Sequence, residues 1–203
     1  MEKRKKALLI GLCLGDGHIN KKDFCLQITH SIKQKSYIDY KCKLIAELLN
    51  CKEPNLYHRK DSNHDEFVLT KGSRFFRYIR KWLYKDGEKR FSKNILKYLT
   101  PEAIAIWWMD DGSHGIDRNK TTGKIRAHSF HLYTYTNLED TENIIEFFKE
   151  KFDITLYKIQ KTMKDGSTKY YLKCRTREGR KLSDLLRPYI LPDLQYKIMQ
   201  EGE

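Results

Sequence analysis

Two aspartates end two short apolar stretches of this chain in the same way. Residues 9–17 and 104–112 are apolar up to their last few positions, where Asp16 and Asp111 each precede a glycine. A carboxylate in the last turn of a helix faces the negative end of the helix dipole, at a cost of about 0.3–1 kcal/mol that a cation can offset. If the stretches form helices that pack side by side, a divalent metal ion could bind both acids. One Asp-Gly pair more often only ends a helix, but its repetition favours chemistry.

The residues that would pack the two helices together differ between the stretches. Gly11 and Gly15 lie four residues apart, on one face of the first predicted helix, and would let a partner backbone approach closely. Ile106 and Asp110 occupy the matching positions of the second, so we expect an asymmetric contact. The bulky residues 107–109 are expected in the core rather than on a surface that stacks bases.

The residues around each stretch predict the same series of elements. After the first stretch, apolar residues alternate over 24–29 as in a half-buried strand, and an apolar helical stripe covers 37–49. A hairpin over 56–71 and a helix over 75–83 follow. The second half repeats this order of strands, helix, hairpin and helix over residues 125–135, 137–152, 156–175 and 182–186.

This repetition predicts the fold class and the domain organisation. Thr100 is a suitable N-cap and Pro101 suits the first helical position, so a new unit begins here. We expect an α+β fold with two domains, residues 1–98 and 99–203, each an αββαββα unit and related by a pseudo-twofold axis. Their antiparallel sheets would form a saddle.

The charge of the chain points to a polyanionic partner. The 40 Lys and Arg residues against 27 Asp and Glu residues give a net charge of +13 and a pI near 9.4. The excess is spread along the chain, which favours a long binding face for nucleic acid over a charged tail. No apolar run approaches the length of a membrane span, so a membrane partner is not expected.

Cysteine usage predicts a reducing intracellular compartment, either the cytoplasm or an organelle. The five cysteines are odd in number and form no C-x-x-C pair, and the seven histidines lack the spacing of a zinc site. A basic N-terminal segment before the first apolar stretch imitates a signal peptide. We do not expect one, because the stretch leads into Gly15-Asp16 without a small-residue cleavage site.

The two stretches and the repeat together resemble the LAGLIDADG homing endonucleases of the single-chain kind, which carry two motifs. The resemblance spans essentially the whole chain. The first motif matches the family pattern at Leu9, Gly11, Leu12, Asp16 and Gly17. The second matches less literally, but its Trp-Met-Asp-Asp-Gly ending, preceded by Tyr-Leu-Thr-Pro, is typical of the family.

The resemblance implies a catalytic metal site between the two motif helices. Asp16 and Asp111 would bind a divalent metal ion at the scissile phosphates. The seventh-position residues Gly15 and Asp110 are also expected at the metal, with Asp110 supporting rather than catalytic. Mg²⁺ is the expected ion, and Mn²⁺ or Ca²⁺ could occupy the same sites, Ca²⁺ without cleavage. Cleavage of both strands of a long asymmetric site would leave short 3′ overhangs.

The family also carries basic residues near the metal. Lys197 falls at the usual place in the second half. In the first half, the segment 88–91 lacks the proline common there, which leaves Lys89 and Arg90 as alternatives, with Lys89 preferred. A lysine at the scissile phosphate can stabilise the transition state, although it could equally only neutralise backbone charge.

The outward faces of the predicted hairpins are the candidates for DNA reading, since β-ribbons fit the major groove. In the last strand, alternation places every second residue from Lys169 to Arg175 on one face. The candidate DNA-binding residues are Gln27, Thr29, Tyr57, Arg59, Thr70, Ser129, His131, Lys158, Gln160, Lys169, Tyr171, Lys173 and Arg175. Alternation leaves the side of the hairpin positions Tyr57, Arg59, Lys158 and Gln160 ambiguous.

Three functions are compatible with these observations to different degrees. A metal-dependent DNA endonuclease acting as a monomer on double-stranded DNA fits best, because both acids are present. A non-cleaving binder of the same fold, such as an intron maturase that binds intron RNA or a transcription regulator, is the alternative. An unrelated basic interaction protein would require the repeat and both motifs to be accidental.

Overall fold

Two consecutive sets of helices and strands make up the computed structural model, which describes residues 2–62 and 64–200. The first set is α1 (Lys3–Leu14), β1 (His18–Ile19), β2 (Cys25–Ser31), α2 (Lys35–Leu49), β3 (Asn55–Lys60), β4 (Asp65–Gly72) and α3 (Arg74–Leu83). A hairpin and a short helix follow: β5 (Tyr84–Lys85), β6 (Glu88–Lys89) and α4 (Lys93–Leu96). The second set is α5 (Pro101–Asp111), β7 (Gly112–Arg118), β8 (Ile125–Thr136), α6 (Leu138–Phe152), β9 (Tyr157–Thr162), β10 (Thr168–Arg175) and α7 (Thr176–Leu186).

The two sets have the same sheet topology, which confirms the predicted α+β fold of two αββαββα units. Within the described residues, each set forms a four-stranded antiparallel sheet, in the orders β1-β2-β4-β3 and β7-β8-β10-β9. The hairpin β5-β6 between them was not predicted. The predicted turn between β3 and β4 includes Asn63, which lies outside the described residues. The domain limits at residues 98 and 99 stay a prediction.

The second motif helix begins where the sequence predicts. The Thr100 side chain accepts a hydrogen bond from the Ala103 amide, and Pro101 stands in the first turn. Thr100 thereby satisfies one of the amides that a helix leaves without an intrahelical partner. Helix α5 thus begins at Pro101 and ends at Asp111.

The helices α1 and α5 pack against each other at the centre of the molecule. Residues 7–14 and 103–109 are all buried, and the Trp107 and Trp108 side chains belong to the core, as predicted. A Cβ atom on Gly11 would lie 2.5 Å from the Ala103 carbonyl oxygen, too close for any side chain. The close approach expected from the glycines of the first motif is therefore present.

Two further predictions concern the surroundings of the protein. Among the described residues, no helix has the length and apolar character needed to cross a membrane. All five cysteines are free, and Cys13, Cys42 and Cys174 are buried. A reducing compartment stays a prediction.

Candidate functional site

The two motif aspartates lie at the same end of the α1/α5 pair. Asp111 is the last residue of α5, and Asp16 follows the end of α1. Burial, and then the charge of Asp110, raise the pKa of the Asp16 carboxyl to about 6. Burial followed by the charges of Asp110 and Asp16 raises the pKa of Asp111 to about 7. Negative charge at this end of the pair is therefore poorly compensated.

Lys89 and Lys197 occupy matching places beside the two motifs. The Lys89 ammonium donates a hydrogen bond to the carbonyl of Gly15, the seventh residue of the first motif. The Lys197 ammonium lies 3.1 Å from the carbonyl oxygen of Asp110, the seventh residue of the second motif. Burial lowers the pKa of both lysines, while the nearby aspartates oppose this effect.

The structure separates the two alternatives for the first-half basic residue. Arg90 points to α6, where its guanidinium contacts Asp140 at 2.7 Å and Glu139 at 2.8 Å. Lys89, the adjacent residue on β6, points to the motif helices instead. A short hairpin that reverses the chain here orients the two side chains in different directions, and the sequence pattern did not predict that hairpin.

A cleft of about 320 Å³ lies on the Asp111 side of the junction. Its lining includes Asp111, Gly15 and Lys89 together with residues 133–136 at the end of β8 and Lys169 on β10. The cleft therefore places Gly15 and Lys89 of the first half and Asp111 of the second half next to the second sheet.

The Asp16 side of the junction has a different composition. Ligand atoms of Asp16, His30 and Asp110 all lie within 4.8 Å of one another, a spacing that could hold a metal ion. However, Asp110 Oδ1 accepts hydrogen bonds from Lys41 at 2.6 Å and Tyr37 at 2.7 Å, and its Oδ2 accepts from the Asp16 amide at 3.0 Å. Both carboxylate oxygens of Asp110 are thus already in use, unlike those expected of a metal ligand.

His30 is also engaged by the protein. Its Nε2 lies 2.9 Å from the Lys41 ammonium, which can only donate, so Nε2 accepts and the ring proton resides on Nδ1. Burial, and then the charge of Lys41, lower the pKa of His30 to about 4, which keeps the ring neutral. Among these three side chains, the Asp16 carboxylate is the one left for a cation.

The strand registers show which candidate DNA-binding residues share an open sheet face. In the first sheet, Gln27 lies opposite Thr70, and Thr29 and Tyr57 lie opposite Val68. Leu26 and Ile28 alternate with them and face the core. The residues on the open faces are Gln27, Thr29, Tyr57, Arg59 and Thr70 in the first sheet, and Ser129, His131, Lys169, Tyr171, Lys173 and Arg175 in the second.

Lys158 and Gln160 lie on the other face of their sheet. Lys158 is opposite the buried Leu172, and its ammonium contacts Glu142 on α6. The register therefore settles which face each hairpin position occupies: Tyr57 and Arg59 lie on the open face of their sheet, and Lys158 and Gln160 do not. A role of these residues in DNA binding stays a prediction. The neighbours of Lys158 and Gln160 on β9 lie on the open face instead and were not among the predicted residues. These neighbours are Tyr157, Ile159 and Lys161, which the register with β10 identifies.

An aromatic cluster distinguishes the open face of the second sheet. The Tyr171 ring centroid lies 5.3 Å from that of Tyr133 and 6.1 Å from that of Tyr135, and His131 packs at its edge. The pairing of β8 with β10 is irregular here, and Tyr135 has a left-handed φ of 42°. Such bulges redirect side chains, and this one turns two tyrosines toward Tyr171. Tyr133 and Tyr135 were not predicted.

Comparisons with known proteins agree with this architecture. The probable intron-encoded endonuclease 1 of Wickerhamomyces canadensis is 26% identical over 208 residues, which cover 98% of this chain and 85% of the relative. The cytochrome b mRNA maturase bI2 of Saccharomyces cerevisiae is 25% identical over 95% of this chain. The chain spans 46% of that maturase and 45% of the RecA protein of Mycolicibacterium chitae, which is 24% identical.

Solved structures with the same fold include two DNA complexes. The homing endonuclease I-WcaI bound to its DNA recognition sequence has a TM-score of 0.73 and 24% identity, over 98% of this chain and 87% of that one. A point variant of I-DmoI in complex with its target DNA in the presence of Mg has a TM-score of 0.54 and 15% identity, over 91% of this chain and 96% of that one. The model of the LAGLIDADG DNA endonuclease family matches residues 6–182. The chain belongs to this family and, as an enzyme, is a DNA endonuclease.

Proposed function

We propose that this chain is a site-specific homing endonuclease that hydrolyses both strands of a long, asymmetric DNA site. The observation that carries the proposal is the paired arrangement at the α1/α5 junction. Each half provides an aspartate at the end of its motif, and a lysine hydrogen-bonded to each seventh-position carbonyl. Two such sets allow one strand to be cut by each, with short 3′ overhangs as the product.

A divalent metal ion fits the residues at this junction. Asp16 and Asp111 would hold it, and carboxylate oxygens are the ligands that Mg²⁺ prefers. Burial and neighbouring carboxylates raise the pKa of both carboxyls, and a bound cation would favour their charged forms, which supports a metal at this place. A bound Mg²⁺ would lower the pKa of water and neutralise charge on the phosphate, and Mn²⁺ or Ca²⁺ could substitute, Ca²⁺ without turnover. The Asp110 carboxylate would not be a ligand.

Lys89 and Lys197 would assist at the phosphate. Each ammonium is held against a main-chain carbonyl at the edge of the junction. Negative charge develops on the phosphate oxygens during hydrolysis, and a fixed ammonium group in a partly dry site stabilises that charge more than it would in water. We therefore assign the two lysines to transition-state stabilisation.

The open sheet faces would bind the duplex in its major groove. Lys161, Lys173 and Arg175 give the open face of the second sheet positive charge. Arg59 on the first sheet is paired with Glu66, and Lys169 on the second with Glu88, so phosphate groups would have to compete with these carboxylates. Antiparallel ribbons fit the major groove, and basic side chains on them can reach both phosphates and base edges. The related fold of I-WcaI is bound to DNA, which supports the same partner here. Both units are on one chain, so a monomer would suffice.

Assistance of RNA splicing is the second candidate function. It is favoured by the similarity to the cytochrome b mRNA maturase bI2 of Saccharomyces cerevisiae. An intron RNA could bind the same positive faces, because neutralising any phosphate backbone releases counterions. The presence of both Asp16 and Asp111 favours DNA cleavage as the principal activity.

The test is cleavage of a target selected from a random duplex library in Mg²⁺. Asp16→Asn and Asp111→Asn should each abolish double-strand cleavage, with little change in DNA affinity by gel shift, because they remove metal ligands rather than phosphate contacts. Full cutting by either variant would remove that aspartate from the site. Tight binding of RNA with no DNA cleavage by the wild type would favour the maturase function instead.

A further inference from the structure

The two motifs end differently in the structure. Helix α5 continues through Asp111, whereas α1 stops at Leu14, two residues before Asp16. The Leu12 carbonyl, four residues before Asp16, accepts its hydrogen bond from the Gly17 amide instead. The Asp16 amide therefore lies outside the helix, and its hydrogen-bond acceptor is the side chain of Asp110, 3.0 Å away.

The first motif offers no matching side-chain acceptor for the Asp111 amide. The residue that matches Asp110 in the first motif is Gly15, which has no side chain to offer. The Asp110 carboxylate fills the space this glycine leaves, since a Cβ atom on Gly15 would lie 2.1 Å from Asp110 Oδ2. The two aspartates that would hold metal are thus fixed by different means: Asp111 by its own helix and Asp16 by a residue of the other half.

A buried lysine of the first half holds Asp110 in place. The side chains of Lys41 and Asp110 both have 0% exposure, and their charged atoms are 2.6 Å apart. Tyr37 donates a second hydrogen bond to the same oxygen at 2.7 Å. A buried pair of this kind does little for net stability, because desolvation costs about as much as the attraction returns. Its position next to a candidate active site is better explained by orientation of Asp110.

We propose that Asp110, held by Lys41 and Tyr37, is a positioning residue for Asp16 and makes the two strand-cleaving sites unequal. The inference rests on the proposed function. Asp110 fixes the Asp16 backbone through the amide, and so fixes the direction of the Asp16 carboxylate. A displacement of about 1 Å at a catalytic group can cost roughly 100-fold in rate. Loss of this acceptor should therefore impair one strand cleavage more than the other.

A matched pair of double variants tests the proposal. K41M/D110N and K41M/D110L both remove the buried charges and leave the net charge of the protein unchanged. The asparagine oxygen can still accept from the Asp16 amide, whereas leucine, of similar size, cannot. The probe is the selected target duplex, labelled on each strand in turn and cut under single-turnover conditions in Mg²⁺.

In K41M/D110L, the rate on one strand should fall at least about tenfold more than the rate on the other. K41M/D110N should preserve the balance between the strands. Equal losses on both strands in the leucine variant, or the same imbalance in both variants, would overturn the proposal. The melting temperature of each variant is measured first, because a purely structural role would lower stability in both without changing the balance.

Amide hydrogen exchange provides a readout that needs neither DNA nor metal. In the wild-type chain, the Asp16 amide should exchange much more slowly than in an unstructured peptide of the same sequence, although it lies outside α1. It should stay protected in K41M/D110N and lose protection in K41M/D110L. If the Asp16 amide of the wild type exchanged as fast as in a peptide, the positioning role would be refuted even if the leucine variant did not fold. If the wild type cut no DNA, the proposed function would fail while this result still stood.

Discussion

Asp111 illustrates how the metal-free site opposes folding at neutral pH. Its carboxyl has an ordinary pKa of 3.8 in the unfolded chain and about 7 in the folded protein, mainly because of burial and then the charge of Asp110. The folded state therefore binds more protons than the unfolded state between these values. The contribution of Asp111 to the free energy of unfolding therefore falls as the pH rises through this window, and the loss is complete above about pH 7.

Asp111→Asn should accordingly stabilise the metal-free protein above pH 7. Three pKa units correspond to about 4 kcal/mol as an upper bound, and partial solvent access reduces the expected gain to about 1–2 kcal/mol, or a few degrees in Tm. Thermal unfolding in EDTA at several pH values measures the difference, which should shrink toward pH 4. Adding Mg²⁺ should raise the Tm of the wild type but not that of the variant.

Asp117→Asn on β7, an exposed acid away from the junction, is the matched control for this comparison. It should change neither the pH dependence nor the response to Mg²⁺. A wild-type protein that is more stable than Asp111→Asn at pH 8 in EDTA would show that the folded site already compensates the Asp111 charge, contrary to the expectation.

The pair of motif helices depends on glycine for its contact. In Gly11→Ala, the new Cβ atom would lie 2.5 Å from the main-chain oxygen of Ala103, and backbone cannot give way as a flexible side chain does. We expect the variant to lose about 1–3 kcal/mol of stability by overpacking. Gly72→Ala is the control, because nothing lies within 4 Å of its Cβ position. Urea unfolding should separate the two variants, and equal midpoints would refute the close contact.

Local periodicity accounts for most of the architecture that the sequence predicts. Apolar alternation identifies strands such as β2, and Thr100 with Pro101 marks the start of α5. Each strand of the hairpin β5-β6 has only two residues, which is too short for a periodic signal. The left-handed backbone conformation of Tyr135 in β8 also has no signal in the sequence, because no glycine marks the bulge.

The chemistry was predicted less completely, because it depends on contacts between distant segments. Lys41 occurs on the apolar stripe of α2, between Tyr37 and Leu44, and a charged residue at such a position indicates a buried partner. Nothing in the sequence identifies that partner as Asp110, which is in the other half. The pairing of Lys89 with Gly15 likewise depends on how β6 is placed against α1.

The two halves form one continuous core but present different surfaces. Buried residues of both units belong to a single hydrophobic cluster centred on α1 and α5. The open face of the first sheet carries Gln27, Thr29 and the exposed Tyr57, whereas the second carries the cluster around Tyr171. A pseudo-dimer with unequal faces does not require a palindromic target, unlike a dimer of identical subunits.

We therefore expect one protein molecule to bind an asymmetric site, with each sheet specifying its own half. Tyr171→Ala should relax base preference in one half-site, and Thr29→Ala should relax it in the other, because each removes contacts from a single face. Selection from a random duplex library in Ca²⁺ measures both preferences, and sedimentation of the complex gives its stoichiometry. A two-protein complex on a palindromic consensus, or relaxation of the same half-site by both variants, would contradict the assignment of one half-site to each sheet.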